Sequence, residues 1–188
     1  MYQQQHPIVL ASKSPRRQEL MKALGLDFTI ELKEVDESYP DGLTPSEVAV
    51  YISEKKAKAF GSSFNQITIT ADTIVALDGE ILGKPNDKAH AQEMLRKLAG
   101  RKHEVYTGVT IIKDNQLTSF YDLSEVLCRE VSDEEIDYYI DNFKPFDKAG
   151  SYGVQDWWGL VVVERIEGSY TNVMGLPTEK LYKALGNL

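Results

Sequence analysis

The chain has 188 residues, with 29 Asp and Glu against 21 Lys and Arg, a formal net charge of −8 and a single cysteine. That length suits one domain or two closely joined lobes, and 42% apolar with 27% charged residues excludes wholesale disorder. The acidic balance argues against a general nucleic-acid binder, and the lone Cys128 excludes an internal disulfide or a zinc site built on cysteine pairs.

Residues 1–7 carry no basic region, and the apolar run Ile8-Val9-Leu10-Ala11 is too short for a signal sequence. No run approaches the roughly 20 apolar residues of a membrane span. The expected location is therefore the cytoplasm, with no membrane partner. Residues 8–11 predict a buried strand leading into Ser12-Lys13-Ser14-Pro15, where a helix begins with Ser14 as N-cap and Pro15 in the first turn. Leu20, Ala23 and Leu24 form its inner stripe, and Gly25 stops it. Thr44-Pro45-Ser46-Glu47 is a capping box that opens a second helix through Val48, Ile52 and Ala59.

Residues 67–77 are rich in β-branched side chains and predict a strand, with Asp78-Gly79 turning it back through Ile81-Leu82. A helix follows from Asn86 or Asp87 to Leu98, stopped by Gly100. Strands are expected over 104–113 and 117–131, joined at Asp114-Asn115. Ser132-Asp133-Glu134-Glu135 is a further capping box, opening a helix with Ile136, Tyr139, Ile140 and Phe143 on one face. Residues 159–167 predict a last strand, and Pro177 opens a terminal helix. No linker, repeat or low-complexity tract divides the chain. Strands and helices interleave while hairpins are present, so the class is α/β, at the α+β boundary, around a mixed sheet.

Residues that contradict local propensity are the candidates for function. Arg16 and Arg17 stand in the first turn of a helix, where the dipole disfavours cations. Two guanidinium forks beside free backbone N–H groups suit a phosphate, with Ser12 and Ser14 as further donors; the competing reading is a solvated surface pair. Lys56 falls on the apolar stripe of the second helix, either snorkelling to water or aimed into a cleft. Asp72 lies amid Ile, Val, Ala and Thr in a strand, which suits a metal ligand or general base, or a carboxylate bonded to backbone donors at a bulge. Lys84, just beyond the hairpin, is placed to point at the same locus. The small-residue loop 147–155 permits close backbone approach to a ligand, and Gln155 offers a donor and an acceptor to a nucleobase edge. Asp36 and Glu37, in a polar loop, are candidate oxygen ligands for Mg²⁺ or Mn²⁺. Trp157-Trp158 is read as a stacking platform for a base or, for one of the pair, as core. His6, His90 and His103 lack metal-ligand spacing, and no Gly-x4-Gly-Lys-Ser/Thr, Gly-x-Gly-x-x-Gly, His-Glu-x-x-His or Gly-x-Ser-x-Gly motif is present.

Together, Leu10-Ala-Ser-Lys-Ser-Pro-Arg-Arg17, Ala71-Asp-Thr73, Gly79-Glu-Ile-Leu-Gly-Lys-Pro85, Asp147-Lys-Ala-Gly-Ser-Tyr-Gly-Val-Gln155 and Gly175-Leu-Pro177 resemble the Maf family of nucleoside triphosphate pyrophosphatases, once called septum-formation inhibitors. The resemblance runs along essentially the whole chain. It implies a single Maf-like domain over 1–188, elongated and two-lobed around a mixed sheet, similar to the inosine-triphosphate pyrophosphatases. The implied reaction cleaves a nucleoside triphosphate between its α- and β-phosphates with a divalent metal, Mg²⁺ or Mn²⁺. By the same resemblance, Ser12, Arg16, Arg17, Lys56 and Lys84 are phosphate-site residues, joined by Lys148. Asp72 is the proton acceptor, and Glu37 with Asp72 forms the metal site. Arg17, Thr73 and Gln155 match the branch acting on dTTP and UTP, including modified pyrimidine nucleotides, in a house-cleaning role linked to cell-division arrest. The alternative is a non-catalytic nucleotide-sensing protein of the septation machinery. A homodimer is also expected of the family. The chain departs from the pattern at Asp156-Trp157-Trp158, where many members carry small residues; this bears on base or sugar preference and leaves the chemistry intact. An ordinary carboxylate, with a pKa of about 3.9, is a poor base at neutral pH. Either its surroundings or a bound metal must supply the activation, and the sequence does not choose between them.

Overall fold

The computed structural model describes residues 3–61 and 65–188; Met1 and Tyr2 of the N-terminal stretch lie outside it. The chain runs β1 (Ile8–Leu10), α1 (Pro15–Ala23), β2 (Phe28–Ile30), α2 (Pro45–Lys58), β3 (Ile67–Leu77), β4 (Glu80–Leu82), α3 (Lys88–Leu98), β5 (Lys102–Lys113) and β6 (Gln116–Cys128). It continues through α4 (Asp133–Phe143), two 3₁₀ turns, α5 (Trp157–Val161), β7 (Val163–Glu167), α6 (Tyr170–Met174) and α7 (Thr178–Leu185). The class is α/β around a seven-stranded mixed sheet of order β2-β1-β3-β5-β6-β7, with β4 also paired to β3. The pairs β1–β2 and β1–β3 are parallel, and the others antiparallel. No helix among the described residues is long and apolar enough to cross a membrane.

Local chemistry explains most boundaries. The side chains of Thr44, Asp87 and Ser132 each accept a backbone N–H at the start of α2, α3 and α4, and the Thr44 and Ser132 boxes close reciprocally. Asp78 and Gly79 both take positive φ, as a two-residue hairpin turn on right-twisted strands requires. On α1 the buried pair is Leu20 and Met21, with Ala23 exposed, so the expected stripe is rotated. On α2, Ala57 and Ser53 are buried and Ala59 lies exposed past the last turn. The strand β6 ends at Cys128, short of Val131. The largest correction is at 159–167, where Gly159 to Val161 are helical and only Val163–Glu167 pair with β6. Asp156 caps Trp158 N there, and Leu160 is 81% exposed, so its apolar character did not report burial. The three-residue β2 and the five-residue α6 were not foreseen.

The strand β3 organises the interior. Its odd positions alternate onto one face: Ile67, Ile69 and Ala71 join a core with Leu20, Met21, Leu181 and Leu185, while Val75 and Leu77 join a second core with Leu95, Tyr139 and Trp158. Thr73 stands between these cores. Even positions face α2: Thr70 donates to Ser53 O at 2.7 Å, Asp72 meets Lys56, and Ile74 packs with Val48 and Ile52. The neighbours of β3 divide likewise. Along one edge β5 pairs with 67–76, but along the other β1 covers only 67–69 and β4 only 75–77. Among the described residues no strand borders that second edge over 70–74. The sheet is split where Asp72 and Thr73 lie.

Opposite Asp72 in register is Gly108 on β5, and a Cβ there would collide with the backbone of Ala49 on α2. This close approach seats α2, and with it Lys56, against the split. Gly108→Ala should therefore destabilise the protein by roughly 1–3 kcal/mol through overpacking. It should also lower activity by displacing Lys56, as urea unfolding and initial rates on the same preparation will check.

Candidate active site

Ten of the residues singled out from the sequence, Ser12, Arg16, Arg17, Glu37, Lys56, Asp72, Thr73, Lys84, Lys148 and Gln155, line one cavity of about 1060 Å³, and Trp157 and Trp158 do not. They come from separate elements. The β1–α1 turn brings Ser12, Arg16 and Arg17; the loop before α2 brings Glu37; α2 brings Lys56; β3 brings Asp72 and Thr73; and the chain after α4 brings Lys148 and Gln155. Asp72 and Thr73 point to opposite faces of β3, so the cavity passes through the split in the sheet.

At its centre the Lys56 ammonium lies 2.6 Å from Asp72 Oδ1 and 2.8 Å from Glu37 Oε1. Lys84 approaches Glu37 Oε2 at 3.8 Å, as expected of a residue aimed at this locus. Lys56 therefore points into the cleft and does not snorkel; its side chain is 18% exposed and that of Asp72 14%. The partner of Asp72 is this ammonium, and among the described residues its Oδ2 accepts no hydrogen bond. Burial would raise the Glu37 pKa, but the hydrogen bond and charge of Lys56, with Lys84 and Arg17, outweigh it and hold the carboxyl below its ordinary range. Two carboxylates converging on one cation are a donor set that suits a hard divalent metal as well as an ammonium. No cluster of three or more acidic, His or Cys ligands occurs among the described residues.

Arg16 and Arg17 part company. Arg16 reaches Asp147 at 4.0 Å, and Lys148 bonds the same carboxylate at 2.8 Å. Arg17 is turned inward, with Nε donating to Gly175 O at 2.7 Å, one terminal nitrogen to Thr73 Oγ1 at 3.0 Å and the other to Ser12 Oγ at 3.3 Å. Thr73 in turn meets Thr107 Oγ1 at 3.0 Å, and Thr107 donates to Asn172 O. Arg17 thus ties α1 to β3 and to the end of α6. Ser14 caps nothing with its side chain and no acid occupies the first turn of α1, leaving that helix end for an external acceptor. Gln155 lines the cavity, and its Oε1 is buried and has no partner. Trp158 is fully buried core, and Trp157 packs against Tyr138 and Tyr139, so neither is a free stacking platform.

Sequence reasoning missed Asp147 as a counter-charge and Gly175 as the acceptor for Arg17. The pairing of Ser169 with Gly175 gave a signal: Ser169 caps Asn172 N, and Gly175 takes φ 111° at the helix end.

A family model for Maf-like proteins matches residues 7–188. The chain belongs to the Maf family. It is 50% identical to a protein of Flavobacterium psychrophilum named dTTP/UTP pyrophosphatase, across 96% of this chain and 93% of that one. A Bacteroides thetaiotaomicron protein of the same name is also 50% identical, across 97% and 96%. Among solved structures, one described as a nucleoside-triphosphatase / dITP/XTP pyrophosphatase from Mycobacterium abscessus is similar at a TM-score of 0.45 and 13% identity, across 95% of this chain and 92% of that one.

Behind the cavity wall, His103 is 1% exposed and holds the Tyr152 hydroxyl through Nε2 at 2.7 Å, while its Nδ1 has no partner. Burial pushes its pKa down to about 4. The unfolded chain takes up this proton below about pH 6.5 and the folded one only near pH 4, so the stability His103 contributes is present above pH 6.5 and is lost as the pH falls. The loss should approach roughly 3 kcal/mol by pH 4. In urea unfolding at pH 7, 6, 5 and 4, the difference between the native protein and His103→Phe should shrink over that window.

Proposed function

We infer that this chain hydrolyses dTTP and UTP between the α- and β-phosphates, giving the nucleoside monophosphate and pyrophosphate. The observation that carries the reading is one cavity at the split in the sheet, whose lining gathers Arg16, Arg17, Lys56, Lys84 and Lys148 with the carboxylate pair Glu37 and Asp72. Relatives at half identity over nearly their whole length carry the name dTTP/UTP pyrophosphatase, which supports it.

The physical task is to bring a water oxygen onto a phosphorus surrounded by negative charge. Arg16, Lys84 and Lys148, with the uncapped start of α1, are suited to hold the phosphates and neutralise the departing pyrophosphate. Asp72 Oδ2, unengaged by Lys56, is suited to accept the proton of the attacking water. Glu37 and Asp72 would hold a divalent cation. When bound, it would supply charge neutralisation at the phosphates and a more acidic water. Lys56, whose ammonium spans both carboxylates, is suited to meet a phosphate oxygen as well.

Base preference finds support in Gln155. Uracil and thymine present an N3–H donor between two carbonyl acceptors, whereas cytosine presents an acceptor at N3. Gln155 lines the cavity, and an amide carries both an acceptor for that donor and an N–H₂ for a flanking carbonyl; its Oε1 is buried without a partner, so a turn of the side chain would present it to the base.

Product analysis after incubation with dTTP or UTP and Mg²⁺ or Mn²⁺ tests the reading. Monophosphate with pyrophosphate supports it; diphosphate with orthophosphate would indicate a phosphohydrolase, and no product the nucleotide-sensing alternative. Asp72→Asn keeps an oxygen for Lys56 but loses the base, and should lower kcat by at least about 10²-fold. Its binding of α,β-imido-dTTP should stay near the native value, and retained turnover would remove Asp72 from the mechanism.

A further inference from the structure

The chemistry above gives Asp156, Trp157 and Trp158 no role. They stand directly behind Gln155. The half-buried Asp156 carboxylate accepts the Tyr139 O–H, at 3.1 Å from Oδ1 and 3.0 Å from Oδ2, and also caps Trp158 N at 3.3 Å. Having donated its proton to Asp156, the Tyr139 oxygen accepts the Gly153 N–H at 3.0 Å. Tyr139 has little freedom to move, because its ring is fully buried between Phe143, Trp157 and Trp158 at centroid distances of 5.4, 6.1 and 5.3 Å. Burial pushes its hydroxyl pKa upward, so it remains a donor throughout the working pH range.

Two further fastenings act on the same segment. A Cβ on Gly159 would collide with Val154 O, so α5 lies against the Val154 backbone with nothing between. A Cβ on Gly153 would come within 2.5 Å of Asp156 Oδ2 and 3.1 Å of Lys148 Cε, so the loop also lies flat on Asp156. Gly153 and Val154 are thus held from behind. Gln155, the next residue, lines the cavity, and its Oε1 is buried without a partner. A glutamine has three rotatable side-chain bonds, and a loop that wandered would spend base-pairing energy on ordering itself.

We propose that Asp156 and Tyr139 are positioning residues which, through the Gly153 N–H, hold Gln155 at the base edge and so set nucleotide affinity and pyrimidine preference. The proposal rests on the reading of the cavity as a dTTP/UTP site. In it the Asp156 carboxylate supplies the acceptor and the Trp157 and Trp158 rings confine the phenol.

The test compares Tyr139→Phe, Asp156→Ala, Asp156→Asn and the Tyr139→Phe/Asp156→Ala double variant. The readouts are kcat and KM with dTTP and dCTP, Kd for α,β-imido-dTTP by calorimetry, and thermal melting. Tyr139→Phe keeps the ring and its packing, so folding survives. Both Tyr139→Phe and Asp156→Ala should raise KM and Kd roughly tenfold, the loss of one buried hydrogen bond, with kcat changed by less than about threefold. The preference for dTTP over dCTP should fall with them. Asp156→Asn, whose Oδ1 still accepts from Tyr139 and caps Trp158, should stay within about threefold of the native protein. The double variant should be no worse than the weaker single, since one linkage is being cut twice. Unchanged Kd and unchanged preference in Tyr139→Phe and Asp156→Ala, even with lowered melting, would overturn the proposal. So would Asp156→Asn behaving like Asp156→Ala, or additive losses. Native protein that binds α,β-imido-dTTP but converts no dTTP would overturn the assigned reaction, and the Kd series would still decide the positioning role.

Discussion

Along one edge the strand β3 is bordered by β1 at one end and β4 at the other, and among the described residues no strand borders that edge over 70–74. A strand in mid-sheet offers no room for a ligand; one that changes neighbours does, in the manner of the switch points where open α/β sheets bind their ligands. The same interval divides the apolar face of β3 into two cores, with Thr73 as the polar step between them. Because side chains alternate, two consecutive residues at the split serve opposite faces, Asp72 toward α2 and Thr73 toward α1 and α6. The Gly108 contact with α2 and the Arg17 bond to Gly175 O fix both sides of the opening.

Electrostatics follows from that geometry. Cations gathered in a half-buried cleft repel one another and lose solvent, so each needs compensation before any ligand arrives. Lys56 is compensated by Asp72 and Glu37, and Arg16 and Lys148 by Asp147. An incoming polyphosphate therefore exchanges one set of anions for another. The global charge of −8 provides no long-range attraction for such a ligand. Capture must depend on short-range contacts, and the acidic surface coexists with a concentrated basic cavity.

The family resemblance and the local physics converge on the same residues. Asp156 ends one loop, caps α5, and holds the phenol that anchors Gly153. The rings of Trp157 and Trp158 pack on that phenol, beside the Gly153 and Gln155 that line the cavity.

Much of the fold was legible because its signals are local. Thr44, Asp87 and Ser132 announce helices by bonding backbone within one turn, and Asp78-Gly79 announces the hairpin by its positive φ. The β-branched run of 67–77 gave β3 to the residue. Elements too short for a period were not legible: β2 has three residues and α6 five. In 159–167 the apolar character mixes a helix, an exposed Leu160 and an edge strand. For the site, the sequence by itself determined which residues break the rules of their own elements: Arg16 and Arg17 at a helix start, Lys56 on an apolar stripe, Asp72 in a strand. Only the tertiary structure decided which of them meet. Lys56 lies 16 residues from Asp72, and Arg17 lies 158 from Gly175, so their contacts depend on how β3 pairs and where its edge opens. Local propensity acts over a turn or a strand pair, whereas an ion pair across a split sheet exists only after the layers have packed.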